Sequence, residues 1–292
     1  MVSTGGERLQ SSIMVDHDMN DNSSAEPVVP AVVFDWAGTL VDFGSLGPVA
    51  PFRSVFADEG VEITYEEARG PMGLAKREHI AALTQEPRIE AAWTSAKGRP
   101  PRDVDIDRMY DRFIPRQVNA IQDHATPIPG VPAVLAALRR RGIRVGACTG
   151  YNRPMLKALE EAAREQGLYA DFSVCADDVP SGRPAPDMAL KALQNLGITH
   201  PNRCIKVDDT TPGIGEGLAA GMWTIGVTVS GNEVGLSERD WSALPDAERT
   251  RLREAAGRKH RAAGAHDVID SVAELMPCLD AIAKRLENGE RP

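Results

Sequence analysis

Several short stretches of this 292-residue chain carry residue types that could act on one another. Asp35 follows the apolar run Val32-Val33-Phe34 and precedes Trp36-Ala37-Gly38-Thr39. Thr149 and Gly150 follow the apolar run Ile143–Ala147 and Cys148. Ser181-Gly182-Arg183-Pro184 places a cation in a loop, and Ile205-Lys206-Val207 runs into the acidic pair Asp208-Asp209. A carboxylate such as Asp35 needs a cation beside it to attack an anionic phosphorus group. Asp208 or Asp209 could help hold Mg²⁺ there, because magnesium takes few protein oxygens and keeps waters and substrate oxygens. Thr149 and the Gly150 amide would hold phosphoryl oxygens, and Arg183 would stabilise the charge of transfer. Each stretch alone also fits a plainer role. An Asp before a Gly turn caps a loop, an acidic pair caps the helix after Pro212, and an Arg in a Gly-Pro loop faces solvent.

A second set lies in the stretch after Pro71. Met72, Lys76, His79, Ile80 and Leu83 recur at helical spacings, which puts Lys76 within an apolar stripe. Helix lysines in general are solvated or snorkel. A desolvated one has a lowered pKa and attacks carbonyls to form an imine. A protonated imine is an electron sink that lets carbon leave phosphorus as an enamine. His79, one turn from Lys76, is placed to move protons during that step.

These residues meet only if the elements bring them together. Runs such as Val32–Phe34 read as buried parallel strands, since both their faces must be covered. Further strands are predicted at Ile143–Ala147, Phe172–Cys175, Ile205–Val207 and Trp223–Val229, with an edge strand at His266–Ile269. They alternate with helices around Val131–Leu138, Pro154–Gln166, Asp187–Leu196 and Gly213–Ala220. That alternation predicts a Rossmann-like α/β core, a doubly wound parallel sheet, with Asp35 at a strand's carboxyl end where open sheets bind ligands. Between residues 49 and 123 no alternating strand occurs. Helices are predicted at Val49–Glu59, from the capping box Thr64–Glu67, at Met72–Gln85 and at Asp105–Asp123, the last perturbed at Pro115. Residues 86–104 read as loop-rich, with room for a short helix at Ile89–Ala96. The division is therefore a tail at 1–28, disordered and rich in Ser, Asp, Asn and Gly, a core at 29–48 and 124–292, and an all-helical cap at 49–123. Ser237–Ala263 is charged and mostly helical, and Pro277–Leu286 is a last helix.

The order of aspartate, hydroxyl, loop cation and paired carboxylates resembles the haloacid dehalogenase superfamily, whose first Asp is a nucleophile and whose last acids hold Mg²⁺. The large phosphatase branch has a general-acid Asp two positions after that nucleophile, where this chain has Ala37. Asp35-Trp36-Ala37-Gly38-Thr39, Pro71-Met72-Gly73-Leu74-Ala75-Lys76 with His79, Thr149-Gly150-Tyr151, Gly182-Arg183-Pro184, Asp209-Thr210, and Glu216-Gly217 leading into Gly221-Met222-Trp223-Thr224 resemble the phosphonoacetaldehyde hydrolase (phosphonatase) family.

The resemblance implies carbon–phosphorus cleavage of phosphonoacetaldehyde to acetaldehyde and phosphate, in 2-aminoethylphosphonate degradation. Lys76 would form the imine and Asp35 the aspartyl phosphate. Asp35, the Ala37 carbonyl and Asp209 would hold Mg²⁺, while Met72, His79 and Tyr151 would line the site. A homodimer with a mobile cap is also implied. Some members have Gly before the last motif's Asp and a second Asp four residues after it. Here those positions are Asp208 and Gly213, so Asp208, Asp209 or both could serve the metal. Some members have Cys where Ser45 stands, so no thiol there can take part. A magnesium-dependent phosphatase of the same superfamily, acting on a small phosphate ester, is the alternative, and Ala37 argues against it.

Composition agrees with an enzyme acting on a small molecule. The net charge of −9 gives no reason to expect nucleic acid or an anionic membrane as partner. Cys148, Cys175, Cys204 and Cys278 are widely spaced, as in a reduced cytoplasmic protein. No apolar run approaches the ~20 residues of a membrane span, and the N-terminus lacks a signal-peptide core.

Overall fold

The structure, a computed structural model, describes residues 1–2 and 26–292. Most of the expected disordered tail, residues 3–25, lies outside the described residues. The chain enters the fold at Pro27 and Val28, whose carbonyls accept from Arg203 at 2.9 and 3.1 Å.

Six strands form one parallel sheet: β1 (Ala31–Phe34), β2 (Arg144–Thr149), β3 (Phe172–Cys175), β4 (Ile205–Asp208), β5 (Trp223–Val227) and β6 (Asp267–Ile269). Their spatial order is β3-β2-β1-β4-β5-β6. Successive strands extend the sheet away from β1 on one side, and the chain then crosses to β4 on the other. The reversal at β1 opens the crevice in which doubly wound sheets bind ligands. Register sets the site's level: Phe34 lies opposite both Ala147 and Val207. The residues that follow, Asp35, Cys148-Thr149 and Asp208-Asp209, therefore emerge side by side.

The strands are apolar runs because both sheet faces are covered. Val32, Phe34, Val145 and Ile205 join one buried cluster, while Ala31, Val33, Val174 and Met188 join a second. The flanking helices are α6 (Val131–Arg140), α7 (Arg153–Glu165), α8 (Asp187–Asn195), α9 (Thr211–Ala219), α10 (Glu238–Ala243), α11 (Asp246–Ala262) and α12 (Leu275–Glu287). The stretch 237–263 is mostly helical, as expected, in two helices, because Pro245 supplies no amide and starts α11 afresh.

Between β1 and α6 the chain is helical throughout: α1 (Val49–Ala57), α2 (Tyr65–Arg69), α3 (Lys76–Gln85), α4 (Pro87–Lys97) and α5 (Asp103–His124). Its packing is continuous with the first sheet cluster through Phe52, Trp93 and Phe113. Phe52 and Phe113 stack at 4.4 Å between α1 and α5. Buried Glu59 ties Lys97 and Arg108 at 2.8 and 3.0 Å.

Two expectations change here. In residues 86–104 the short helix allowed at Ile89–Ala96 is present and longer: Pro87 opens α4 as its first residue, and Gly98 closes it in the left-handed conformation. The helix expected from Met72 begins only at Lys76. Met72–Ala75 form a turn in which Gly73 has φ +94°, a conformation that costs other residues. Pro115, in contrast, sits inside the unbroken 22 residues of α5. No described helix is long and apolar enough to cross a membrane.

Candidate active site

The site is built from strand ends below and the helical insertion above. Asp35 is pinned by its backbone amide, which donates to the Val207 carbonyl at 2.9 Å. Its carboxylate meets a guanidinium nitrogen of Arg183 at 2.7 Å. Burial is the main force on Asp35 and, with Asp208 nearby, raises its pKa to about 6 against the pull of Arg183 and Lys206.

Arg183 is not a surface residue. Its side chain is 1% exposed, with Nε donating to Glu216 at 2.8 Å and one terminal nitrogen 3.2 Å from Asp208. Lys206, fully buried in β4, lies 2.8 Å from Asp208 and 3.5 Å from Glu216. Thus Asp208 is saturated: one oxygen takes Lys206 and Arg183, and the other takes the Thr210 amide and hydroxyl at 3.0 and 2.8 Å. Burial alone would raise its pKa; Arg183 and Lys206 overcome that and hold it below the usual carboxylate range.

Asp209 differs. Among the described residues its oxygens accept from Thr39 Oγ1 at 3.2 Å and the Asn232 amide at 2.8 Å, both neutral. Burial first, then Asp35 and Asp208, push its pKa well above the ordinary value. Asp35, Asp208 and Asp209 each offer an oxygen within 4.8 Å of the others. Arg183 and Lys206 stand against four buried carboxylates, counting Glu216, and among the described residues Asp209 has no cation within ion-pair distance. The donor set therefore fits a divalent metal ion. Gly38 keeps this corner open: its φ is +86°, and a Cβ there would fall 2.1 Å from Asp209 Oδ2.

From the insertion, Lys76 comes in as the first residue of α3, 5% exposed. Nζ is 3.9 Å from Met72 Sδ and lies 5.3 and 5.7 Å from the ring centroids of Tyr151 and Phe52. Burial dominates and lowers its pKa to about 8, Arg183 adding to the shift while Asp35 and Asp209 oppose it. The positive end of α3 acts in the same direction as burial. His79 stacks on Phe52 at 3.8 Å, and its Nε2 donates to the Ala68 carbonyl at 3.0 Å. Burial, then Lys76, drive its pKa far down, so it is neutral with Nδ1 a bare, unpartnered acceptor.

The insertion and core interlock around this point. Gly73 O accepts from Arg183 at 3.4 Å. A Cβ on Gly150 would lie 2.4 Å from Leu74 O. Gln117 of α5 donates to the Tyr151 hydroxyl at 3.0 Å, and Asn152 to that of Tyr110 at 3.0 Å. Asp35, Ala37, Met72, Lys76, Thr149, Gly150, Tyr151 and Arg183 share one cavity of about 20 Å³, the space of a water or so.

All the site residues expected from sequence thus converge, with His79 behind Phe52. Lys206, Gln117 and the structural duty of Glu216 were missed. Lys206 did carry a signal: a lysine within a strand buried on both faces must have a buried carboxylate partner.

Residues 29–221 match the family model for haloacid dehalogenase-like hydrolases. The chain is 50% identical over 264 residues to the phosphonoacetaldehyde hydrolase of Hahella chejuensis, covering 90% of each chain. It is 45% identical to that of Bordetella pertussis, over 90% of this chain and 95% of the other. A crystal structure of a phosphonoacetaldehyde hydrolase-like protein from Oleispira antarctica superimposes with a TM-score of 0.90 at 45% identity, covering 98% of this chain and all of that one. The chain belongs to the haloacid dehalogenase-like hydrolases and, within them, to the phosphonoacetaldehyde hydrolase family.

Proposed function

We propose that this enzyme hydrolyses the carbon–phosphorus bond of phosphonoacetaldehyde, giving acetaldehyde and phosphate. The observation that carries the reading is Lys76, a buried amine of lowered pKa sharing one cavity with the Asp35 carboxylate while Ala37 stands where an acid for an alcohol would be needed.

Lys76 Nζ, neutral, adds to the aldehyde carbon, and loss of water gives the imine. His79, three residues along α3 and held neutral by burial, presents Nδ1 as an unpartnered acceptor for the proton moved in this step. Asp35 then attacks phosphorus. The carbon–phosphorus electron pair moves into the protonated imine, leaving an enamine on Lys76 and an aspartyl phosphate on Asp35. Protonation of the enamine carbon and hydrolysis release acetaldehyde and the lysine. Water on the aspartyl phosphate releases phosphate. Thr149 and the Gly150 amide hold phosphoryl oxygens, Arg183 balances their charge, and Met72 and Tyr151 wall the imine off from water. Mg²⁺, held by Asp35, the Ala37 carbonyl and Asp209, would screen the approach of two anions. Asp208 has no free lone pair and serves instead to anchor Arg183 and Lys206.

Residues 49–123 act in this reading as a cap. The cavity of about 20 Å³ is too small for the substrate, so the cap must part from the core for entry. Assembly as a homodimer follows from the family resemblance, and a cytoplasmic setting from the four free cysteines.

The test is release of acetaldehyde and phosphate from phosphonoacetaldehyde, compared with phosphate release from small phosphate esters. Equal parts of both products, abolished by EDTA and restored by Mg²⁺, support the reading. Turnover of the esters alone would leave a phosphatase.

A further inference from the structure

Arg69, at the end of α2, is buried outside the lining of the catalytic cavity, and its surroundings are unusual. Among the described residues no carboxylate lies within ion-pair distance of its guanidinium. Instead the fork donates to three core carbonyls: Gly44 O at 2.6 Å, Asn232 O at 2.7 Å and Ser45 O at 3.2 Å. A fourth contact, at 3.3 Å, is to the hydroxyl of Tyr65, which itself donates to Gly235 O at 3.2 Å. A buried guanidinium without a counter-charge is costly unless its donors are met, and here carbonyl dipoles meet them.

The acceptors lie on two core loops that also serve the metal corner. Asn232 donates its amide to Asp209 Oδ2. The Gly44 amide donates to Ser230 O at 2.7 Å, and Ser230 Oγ to Gly38 O at 3.2 Å. Arg69 itself belongs to the insertion. It directly precedes the turn that carries Met72, the Gly73 carbonyl on Arg183 and then Lys76. All three carbonyl contacts cross from insertion to core, so opening the cap breaks them together.

We propose that Arg69 is a closed-state latch: a positioning residue that seats the 70–75 turn, and with it Lys76, against the loops that hold Asp209. The inference rests on the proposed function for its kinetic consequence, though not for its structural one. Other groups bridging insertion and core, such as Gln117 and Tyr110, reach α7 or the Tyr151 side and do not touch the metal corner.

The experiment uses the full chain with Mg²⁺ and compares wild type with Arg69→Ala and the milder Arg69→Lys, which keeps the charge but loses the fork. Hydrogen exchange is read first. The latch predicts faster exchange in both 70–76 and 230–236 together, with β1 and β4 unchanged. Turnover of phosphonoacetaldehyde in Arg69→Ala should fall roughly 30- to 1,000-fold, with kcat more affected than KM, and added guanidinium should restore at least about tenfold of it. A solvent-facing cavity of about 340 Å³ beside Arg69 and Asn232 gives that ion a way in. Turnover within threefold of wild type, loss that guanidinium does not restore, or faster exchange throughout the core would each overturn the latch. Should wild type fail to cleave phosphonoacetaldehyde, the proposed function falls, while the exchange comparison still decides the latch. If Arg69→Ala does not fold, Arg69→Lys is read by the same criteria.

Discussion

The carboxylate of Asp208 occupies the space a side chain at Gly213 would need: a Cβ there would lie 2.0 Å from its carboxyl carbon. A strand-end acid and a helix position four residues beyond its neighbour thus compete for one volume, and this chain fills it from the strand. Gly213→Ala should therefore push Asp208 off Lys206 and Arg183. Chemical denaturation should show a loss of about 2–4 kcal/mol, with activity largely gone. An unchanged midpoint would show that the carboxylate can move aside freely.

The two neighbouring aspartates should separate in their effects. Asp209→Asn should raise the Mg²⁺ concentration for half-maximal activity by at least the roughly 10–100-fold that loss of a supporting partner costs a metal site. Asp208→Asn should leave that concentration less changed and lower stability by about 2–4 kcal/mol, because Lys206 and Arg183 lose their shared carboxylate. Paired magnesium titrations and urea curves decide the assignment. The reverse pattern would exchange the two roles.

Lys76 supplies a prediction about stability. Its folded pKa, about 8, lies below the unfolded value, so the folded state resists the ammonium form. The cost is fully present below about pH 8 and fades as pH rises toward 10.5. Lys76→Met should then stabilise the protein at pH 7 by on the order of 2–3 kcal/mol while abolishing turnover. The gain should vanish above pH 10. A variant less stable than wild type at pH 7 would show that the lysine is comfortably charged.

The same group sets a rate profile. Only the neutral amine attacks the aldehyde, so imine formation should climb tenfold per pH unit up to about 8 and then level off. Stopped-flow measurement of the imine at several pH values gives the midpoint directly. A midpoint near 10 would mean that the pocket does not lower the lysine's pKa.

Much of the fold was legible because a parallel sheet covered on both faces needs unbroken apolar strands, and such runs end visibly at Asp35, Cys148 and Asp208. The site was legible where it hangs on those ends. Less legible were features that depend on partners distant in sequence. The loop-rich composition of 86–104 hides α4, whose first residue is Pro87. Spacing alone puts Met72 on the helix, whereas the left-handed Gly73 makes it part of a turn that still delivers its sulfur to Lys76. Arg69 carries no local pattern, since only the folded chain supplies the carbonyls that make its burial tolerable.

The most direct measurement is borohydride trapping of the enzyme with phosphonoacetaldehyde, followed by peptide mass spectrometry, with Lys76→Arg as control. The proposed mechanism predicts a reduced two-carbon adduct on Lys76 in the wild type and none in the control. No adduct on Lys76 during active turnover, or an adduct that persists on another lysine in the control, would contradict it.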